Sequence, residues 1–208
     1  NATDFGNLTY PGGSGTGCSN GPRGIFGGFF RNGTTWNTVD YITIATTGNA
    51  TDFGNLTTNR GDAAALANDT RGIFAGGETG NGGAVRVNTI DYVTIASTGN
   101  ATDFGDCAGV RQALIPCSNN VRGLWAGGIG GGNAIKYVTI MTTGNVTDFG
   151  DLTADRHGMG GCSNGTRGIF GARSNVNIID YVTIMTTGNA TDFGDLSVAR
   201  SPAALSGD

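Results

Sequence analysis

The sequence predicts an all-β protein built from tandem repeats, and three observations support this prediction. Glycine accounts for 39 of the 208 residues, whereas charged residues make up only 13%, a composition typical of structure that is dense in turns. The segment T-D-F-G occurs five times, and its phenylalanines lie 48, 51, 45 and 44 residues apart. Two further motifs, R-G-[IL]-[FW] and Y-[IV]-T-I, each occur four times in a constant phase with it. Repeats of this length are supersecondary units that stack on their neighbours.

Other glycine-rich classes do not fit the sequence. A collagen-like G-X-Y period is missing and proline is scarce, with 4 residues. Apolar residues reach 38% and are regularly placed, which excludes a disordered chain. No run approaches the roughly 18 apolar residues of a membrane helix. The net charge is −4 and no basic patch is present, so neither a membrane nor a nucleic acid is expected as a partner.

Each repeat contains four candidate strands. The first follows a recurring arginine and is rich in small residues, as in residues 63–66. The second is R-G-I-F-A, which ends at a glycine pair beginning with Gly76. The third, I-D-Y-V-T-I, is dense in β-branched and aromatic residues, with Tyr92 and Val93 facing opposite ways. The fourth, T-D-F-G-D-L, is entered through a T-G-N turn. Four short strands in about 40–50 residues predict a β-propeller of four-stranded antiparallel blades.

The repeats divide one predicted domain, residues 1–208, into four full units and two partial strands. The full repeats cover approximately residues 9–56, 57–107, 108–152 and 153–196, and the unpaired terminal strands are residues 1–8 and 197–208. Residues 1–8 correspond to the fourth strand of one blade, and residues 197–208 contain the first strand of another. These two strands are therefore not neighbours within a blade. Because unpaired strand edges promote association, we expect either self-association or a longer parent chain.

The repeat resembles the Kelch repeat in the order and spacing of its motifs. These are an arginine with small residues, an aliphatic strand ending in Gly-Gly, a tyrosine strand, and a polar turn before an aromatic residue. The resemblance covers the whole chain, but Phe53 and Phe104 stand where Kelch repeats usually have tryptophan, and Gly171-Ala172 replaces the last glycine pair. The segment T-G-N-[AV]-T-D-F-G-[DN]-L is also similar to repeats of tail-fibre-like proteins of marine bacteriophages. These resemblances imply a propeller scaffold at an extracellular or virion-surface location.

Arginine recurs at two positions of the repeat, and aspartate recurs just before the tyrosine. The arginines would form two rings in a propeller: Arg23, Arg71, Arg122 and Arg167, and Arg60, Arg111, Arg156 and Arg200. The aspartates are Asp40, Asp91 and Asp180, and Lys136 takes their place in the third copy. Arginine rings can bind carboxylates or phosphates, but recurring arginine with recurring aspartate favours structural ion pairs between blades. We expect one such pair to be rearranged at Lys136.

The length of the repeat varies mainly after the glycine pair, and variable loops on a rigid scaffold often carry binding residues. The first such loop and the turn beside it hold the candidates Tyr10, Phe29, Phe30, Arg31 and Trp36. Aromatic side chains beside arginine suit the recognition of a glycan or a protein. The alternative is that the phenylalanines cover a neighbouring blade or subunit. His157 is a further loop candidate.

The cysteines are expected to be buried free thiols. Three share one place in the repeat, at which the remaining copy has Ala67: Cys18, Cys117 and Cys162. Cys107 replaces a leucine, and sites that exchange cysteine with apolar residues behave as small hydrophobic positions. Disulfides and metal ligation are the alternatives. Because His157 is the only histidine, it cannot build a multi-histidine metal site, and we expect no metal, cofactor or catalytic residue.

The sequence therefore predicts a non-catalytic extracellular or virion-surface module whose variable loops bind a cell-surface glycan or a protein receptor. The sequence contains ten Asn-x-Thr sequons, most of them in the repeated turn, and if a eukaryotic cell secreted the chain the candidate glycosylation sites would be Asn32, Asn68 and Asn164. Two alternatives stay open. One is a subunit of an extracellular filament, with or without glycans, assembled through its terminal strands. The other is a fragment of a carbohydrate-active enzyme whose catalytic residues lie in another segment.

Overall fold

The computed structural model describes residues 1–10, 12–80, 85–158, 160–173 and 176–199, and these residues form strands and turns but no helix. The first sheet contains β1 (Thr16–Ser19), β2 (Arg23–Gly27), β5 (Thr38–Thr43) and β6 (Thr51–Asn55), and its small hairpin contains β3 (Phe30–Arg31) and β4 (Thr34–Thr35). The second sheet contains β7 (Ala64–Ala67), β8 (Arg71–Ala75), β11 (Thr89–Thr94) and β12 (Thr102–Asp106), with the hairpin strands β9 (Glu78–Thr79) and β10 (Val85–Arg86).

The last two sheets repeat the same plan. The third contains β13 (Ile115–Ser118), β14 (Arg122–Ala126), β15 (Ala134–Thr139) and β16 (Thr147–Asp151). The fourth contains β17 (Gly160–Ser163), β18 (Arg167–Arg173), β19 (Val176–Thr183) and β20 (Thr191–Asp195). All pairs within these sheets are antiparallel and follow the order of the chain. The prediction of an all-β chain with four-stranded antiparallel sheets is confirmed.

The hydrophobic core lies in three layers, each between two consecutive sheets. Tyr92 of β11 faces the third sheet, where it packs in one cluster with Trp125 and Val138. Val93 of the same strand faces the first sheet and packs in another cluster, which includes Ile25. Successive residues of a strand point to opposite faces, so the third strand of an inner sheet contributes to two layers. The two faces predicted for Tyr92 and Val93 are confirmed.

The fourth strand of each of the first three sheets also lies on the T-G-N turn of the following sheet. In the first case, the Gly99 amide donates to the Phe53 carbonyl at 2.7 Å, and the Ala101 amide donates to the Asn55 carbonyl at 2.8 Å. Gly54 has a φ of +144°, and a Cβ there would lie 2.4 Å from the Gly99 oxygen. Only glycine fits this approach, which explains the glycine of T-D-F-G.

The first strands of the four sheets (β1, β7, β13 and β17) pack side by side in chain order. Together they line a cavity of about 1140 Å³. The first three of them also pack against the second strand of the following sheet, where a Cβ on Gly168 would lie 2.5 Å from Cys117 Sγ and one on Gly123 would lie 2.6 Å from Leu66. The glycine of the R-G motif therefore leaves room for the first strand of the preceding sheet.

The structure corrects the predicted equivalence between Ala67 and the three cysteines. Cys18 pairs with Ile25 across β1 and β2, and the residue of β7 in the same register, opposite Ile73, is Leu66. Ala67 lies one position further along and points to the opposite face of the strand. The cysteine position thus exchanges with leucine, which is larger but equally apolar.

The four cysteines are free thiols, as expected, but only Cys107 and Cys117 are buried, whereas Cys18 and Cys162 are half-buried. Burial raises the pKa of Cys107 to about 11, although Arg111 and Arg60 act in the opposite direction. Burial also raises the pKa of Cys117, and the nearby Cys162 adds to this effect. Within the described ranges, no group of three metal-ligating side chains is found, and no helix is long and apolar enough to cross a membrane.

Candidate functional site

The variable loops lie beside the connections that precede the first strands. Gly13 and Phe30 exchange backbone hydrogen bonds of 2.9 and 3.1 Å, and Gly61 is paired in the same way with Glu78. The first loop forms the β3–β4 hairpin, whose turn residues Asn32 and Gly33 have φ values of 52° and 81°. Asn-Gly suits such a turn because both residues tolerate a positive φ. Gln112 and Ile129 are bridged in the same way in the third sheet, so one end of the array gathers the described parts of the first three variable loops.

Tyr10 and Trp36 form an aromatic pair on this end of the array. Their ring centroids lie 5.0 Å apart with an interplanar angle of 50°. Tyr10 is exposed, Trp36 is half-buried, and Arg31 is exposed near the tip of the adjoining hairpin. We call Tyr10, Arg31 and Trp36 the aromatic hairpin surface. It consists of a pair of aromatic rings and an arginine on a strand of the hairpin that precedes Trp36.

The two phenylalanines of the loop are used for packing instead. Phe29 is only 2% exposed, and Cβ atoms on Gly12 and Gly15 would lie 2.7 and 2.5 Å from its side chain. Phe30 is half-buried, and its Cβ lies against Gly61 in the connection between β6 and β7. Phe29 is therefore removed from the candidate binding residues, because its ring fills the space that the two glycines leave, and the packing role given as the alternative is favoured for both phenylalanines.

His157 is half-buried in the connection between β16 and β17, at the repeat position that Gly61 and Gln112 occupy in the preceding copies. Sequence reasoning missed Asp62, which lies next to Gly61 and therefore beside the hairpin. Asp62 has a φ of 51°, and burial raises the pKa of its carboxyl group while a hydrogen bond with Ser14 lowers it. The sequence signal that could have identified Asp62 is the variation of this position between repeats, because the corresponding residues are Ser14 and Ala113.

The first arginine series does not form the expected ion pairs. Each member lies over the tyrosine of its own sheet, at 4.7, 4.2, 4.4 and 4.8 Å from the ring centroid: Arg23 on Tyr41, Arg71 on Tyr92, Arg122 on Tyr137 and Arg167 on Tyr181. Three members also reach the next sheet, where they donate to backbone carbonyls at 3.0–3.2 Å: Arg23 to Ile95, Arg71 to Ile140 and Arg122 to Ile184. These arginines have a structural role, as expected. Their partners, however, are backbone carbonyl groups and aromatic rings and not the predicted aspartates.

The second arginine series does form ion pairs where aspartate is present, but each pair lies within one repeat and not between blades as predicted, because the arginine precedes the first strand of the sheet that holds its aspartate. Arg60 Nη1 lies 2.9 Å from Asp91 Oδ2, with both side chains at 0% exposure. Burial lowers the pKa of Arg60, and the Asp91 charge opposes this effect. Arg156 is paired with Asp180 in the same way. In both pairs a threonine of the preceding connection also donates to the aspartate through its amide and its hydroxyl group. Arg200 lies outside the described residues.

The first and third sheets depart from this arrangement. Asp40 is buried and accepts hydrogen bonds from Thr9, but Gly12 stands where the next repeat has its arginine. In the third sheet, Lys136 replaces the aspartate and pairs with Asp148, as the predicted rearrangement requires. Arg111 instead donates to the carbonyl of Ala108, a residue that replaces the threonine.

The three candidate glycosylation sites lie in different environments. Asn32 is exposed at the hairpin tip, and Asn164 is exposed in the turn before β18. Asn68 is 8% exposed, its Oδ1 accepts from the amides of Thr70 and Arg71, and its Nδ2 donates to Asn120. A glycan on Asn68 would have to be attached at a buried Nδ2 atom that already donates to Asn120.

No known family model matches the chain, and a comparison with curated proteins finds no significant match.

Proposed function

We propose that this chain is a β-propeller module that binds cell-surface glycans through the aromatic hairpin surface, without catalysis, at an extracellular or virion surface. The observation that carries the proposal is the pairing of Tyr10 with Trp36 beside Arg31 at the end of the array that gathers the variable loops. Aromatic faces stack on the apolar faces of sugar rings, and a guanidinium group pairs with carboxylates.

The scaffold supports the propeller assignment. Four four-stranded antiparallel sheets follow one another, and their first strands line a common cavity, as the inner strands of propeller blades do. The Kelch-like order of motifs favours the same architecture. The likeness of the T-G-N-[AV]-T-D-F-G repeat to tail-fibre-like proteins is the basis for the proposed location.

The ligand class follows from the chemistry of the surface. Two aromatic rings tilted at 50° offer a shallow, open contact that suits a terminal sugar better than an apolar compound, which would need an enclosed pocket. Arg31 adds a preference for sugars that carry a carboxylate. A protein receptor is the alternative ligand, and it would engage the same three side chains.

The test is binding of the full chain to an array of neutral and sialylated glycans. We expect Trp36→Ala and Tyr10→Ala to weaken binding at least about tenfold, equivalent to about 1.4 kcal/mol, and Arg31→Gln to weaken only the binding of acidic glycans. Met141→Ala is the matched control, because Met141 is 50% exposed in the β15–β16 turn. Binding that survives both aromatic substitutions unchanged would refute the proposed site.

A further inference from the structure

The interface between consecutive sheets is built from two different faces that are used repeatedly. The face directed to the following sheet includes the phenylalanine of T-D-F-G, and Phe53, Phe104 and Phe149 are only 2–3% exposed. The face directed to the preceding sheet includes the last isoleucine of the Y-[IV]-T-I motif, and Ile95, Ile140 and Ile184 are 0% exposed. Every sheet carries both faces.

In the described part of the chain, no sheet covers the face of the fourth sheet that corresponds to the first kind. Phe193 is 53% exposed, and a Cβ on Gly194 would meet nothing within 4 Å. Ile169 and Ile179 are half-buried, whereas the equivalent Leu124 and Ile135 of the third sheet are 0% exposed. This face therefore leaves apolar surface in water that its equivalents bury.

The first sheet presents the complementary face. Ile44 is 42% exposed, and Phe26 and Ile42 are half-buried. Their equivalents in the second sheet, Phe74 and Val93, are buried. The two ends of the array are thus the two halves of the interface that recurs within it.

Residues 1–8 occupy part of the first sheet's end. The Gly48 amide donates to the Phe5 carbonyl at 2.8 Å, and the Ala50 amide donates to the Asn7 carbonyl at 2.8 Å, as in the internal interfaces. The sequence T-D-F-G-N-L of this segment corresponds to T-D-F-G-D-L of β20. However, residues 1–8 are almost entirely exposed and have no neighbouring strand in the described ranges. They cover the T-G-N turn but leave the face around Ile44 uncovered.

We propose that two copies of this chain associate head to tail, with the fourth sheet of one copy docking on the first sheet of the other and β20 displacing residues 1–8 from the Gly48–Ala50 turn. The occupant of each exposed face is the complementary face of a second copy, because this pairing continues an interface that the chain forms three times internally. Such an interface is heterologous, so its repetition gives a closed ring or a filament, depending on the rotation between copies. The inference does not require the proposed glycan binding.

The decisive measurement is the association constant of the full chain by analytical ultracentrifugation. Gly6→Val is the informative variant, because a Cβ at Gly6 would lie 2.2 Å from the Gly48 oxygen and must push residues 1–8 off the turn. Loss of two exposed backbone hydrogen bonds makes the displaced segment a weaker competitor, so we expect association to tighten by about tenfold. Weaker or unchanged association in Gly6→Val would overturn the proposed displacement.

Two further variants test the faces separately. Phe193→Ser and Ile44→Ser are each expected to reduce self-association by at least about tenfold, and an equimolar mixture of the two should form a heterodimer that does not grow further. This heterodimer retains one intact interface. Met141→Ser, at an equally exposed apolar position, should leave association unchanged. A chain that stays monomeric at all concentrations, or self-association that neither face variant weakens, would refute the proposal. Neither result bears on the glycan array, which reports only on the aromatic hairpin surface.

Discussion

The Arg60 guanidinium lies 2.9 Å from the Asp91 carboxylate, and both side chains are completely buried. Arg60 belongs to the connection that leaves the first sheet, whereas Asp91 belongs to β11 of the second. Arg60 also donates to the Phe74 carbonyl at 3.2 Å, and Thr57 donates to Asp91 through both its amide and its hydroxyl group. One carboxylate therefore holds the connection in place.

Asp91→Asn is expected to destabilise the protein by about 3 kcal/mol, because it leaves the buried Arg60 charge without its partner. The matched control is Asp148→Asn, which breaks the pair with Lys136, where Asp148 is 73% exposed. We expect the control to cost less than about 1 kcal/mol. Urea denaturation of the two variants measures both values, and equal losses would contradict the difference that burial predicts.

Restoring the repeat's usual network in the third sheet should reveal coupling between two sites. Ala108→Thr and Lys136→Asp together recreate the threonine and aspartate that accompany arginine in the second and fourth sheets. We expect the double variant to be more stable than the sum of the single variants predicts, by about 1–3 kcal/mol. A double-mutant cycle in urea gives this coupling energy. Strict additivity would mean that Arg111 cannot reach the new carboxylate.

Thiol reactivity should differ between the cysteines and rise with pH. Thiol reagents attack the thiolate, and burial raises the pKa of Cys107 to about 11, so little thiolate is present at pH 8. Because the folded pKa exceeds the reference value of 9.0, the protonated thiol contributes stability below pH 9, and this contribution is lost between about pH 9 and 11. Cys162, half-buried on the uncovered face of the fourth sheet, should react before Cys117.

This order can be measured with an aromatic disulfide reagent followed by peptide mass analysis. At the concentrations where head-to-tail association occurs, Cys162 should become protected. Rapid labelling of Cys117 at neutral pH in the folded protein would be inconsistent with its burial.

Asn68 and Asn164 should respond differently to substitution. Asn68→Ala removes three hydrogen bonds around a buried side chain and is expected to cost about 2–3 kcal/mol. Asn164→Ala removes two bonds from an exposed turn and should cost about 1 kcal/mol. Thermal unfolding compares the two variants. If the chain is expressed in a eukaryotic secretory system, glycan should be found at Asn32 and Asn164 rather than at Asn68.

The sequence predicts the strands and their order well because each copy repeats the same motifs, and shared spacing identifies equivalent residues without knowledge of the contacts. The sequence predicts less well which groups each side chain contacts. A backbone carbonyl such as that of Ile140 carries no residue-specific signal, so the acceptor of Arg71 could not be identified. The burial of Phe29 depends on Gly12 and Gly15, whose missing side chains create a space that only the folded arrangement reveals. The pairing of Tyr10 with Trp36 followed from the topology, since a variable loop and the preceding connection meet at one end.

Contacts that join only adjacent sheets have a consequence for how the protein unfolds. The carbonyl bonds of Arg23, Arg71 and Arg122 each span a single boundary, so the free energy of the array approximates a sum over neighbouring pairs. The second and third sheets have two such boundaries, whereas the outer sheets have one each. Amide hydrogen exchange should therefore be slowest in the second and third sheets and faster in the first and fourth, and adding or deleting a copy would change the length of the array without requiring new contacts.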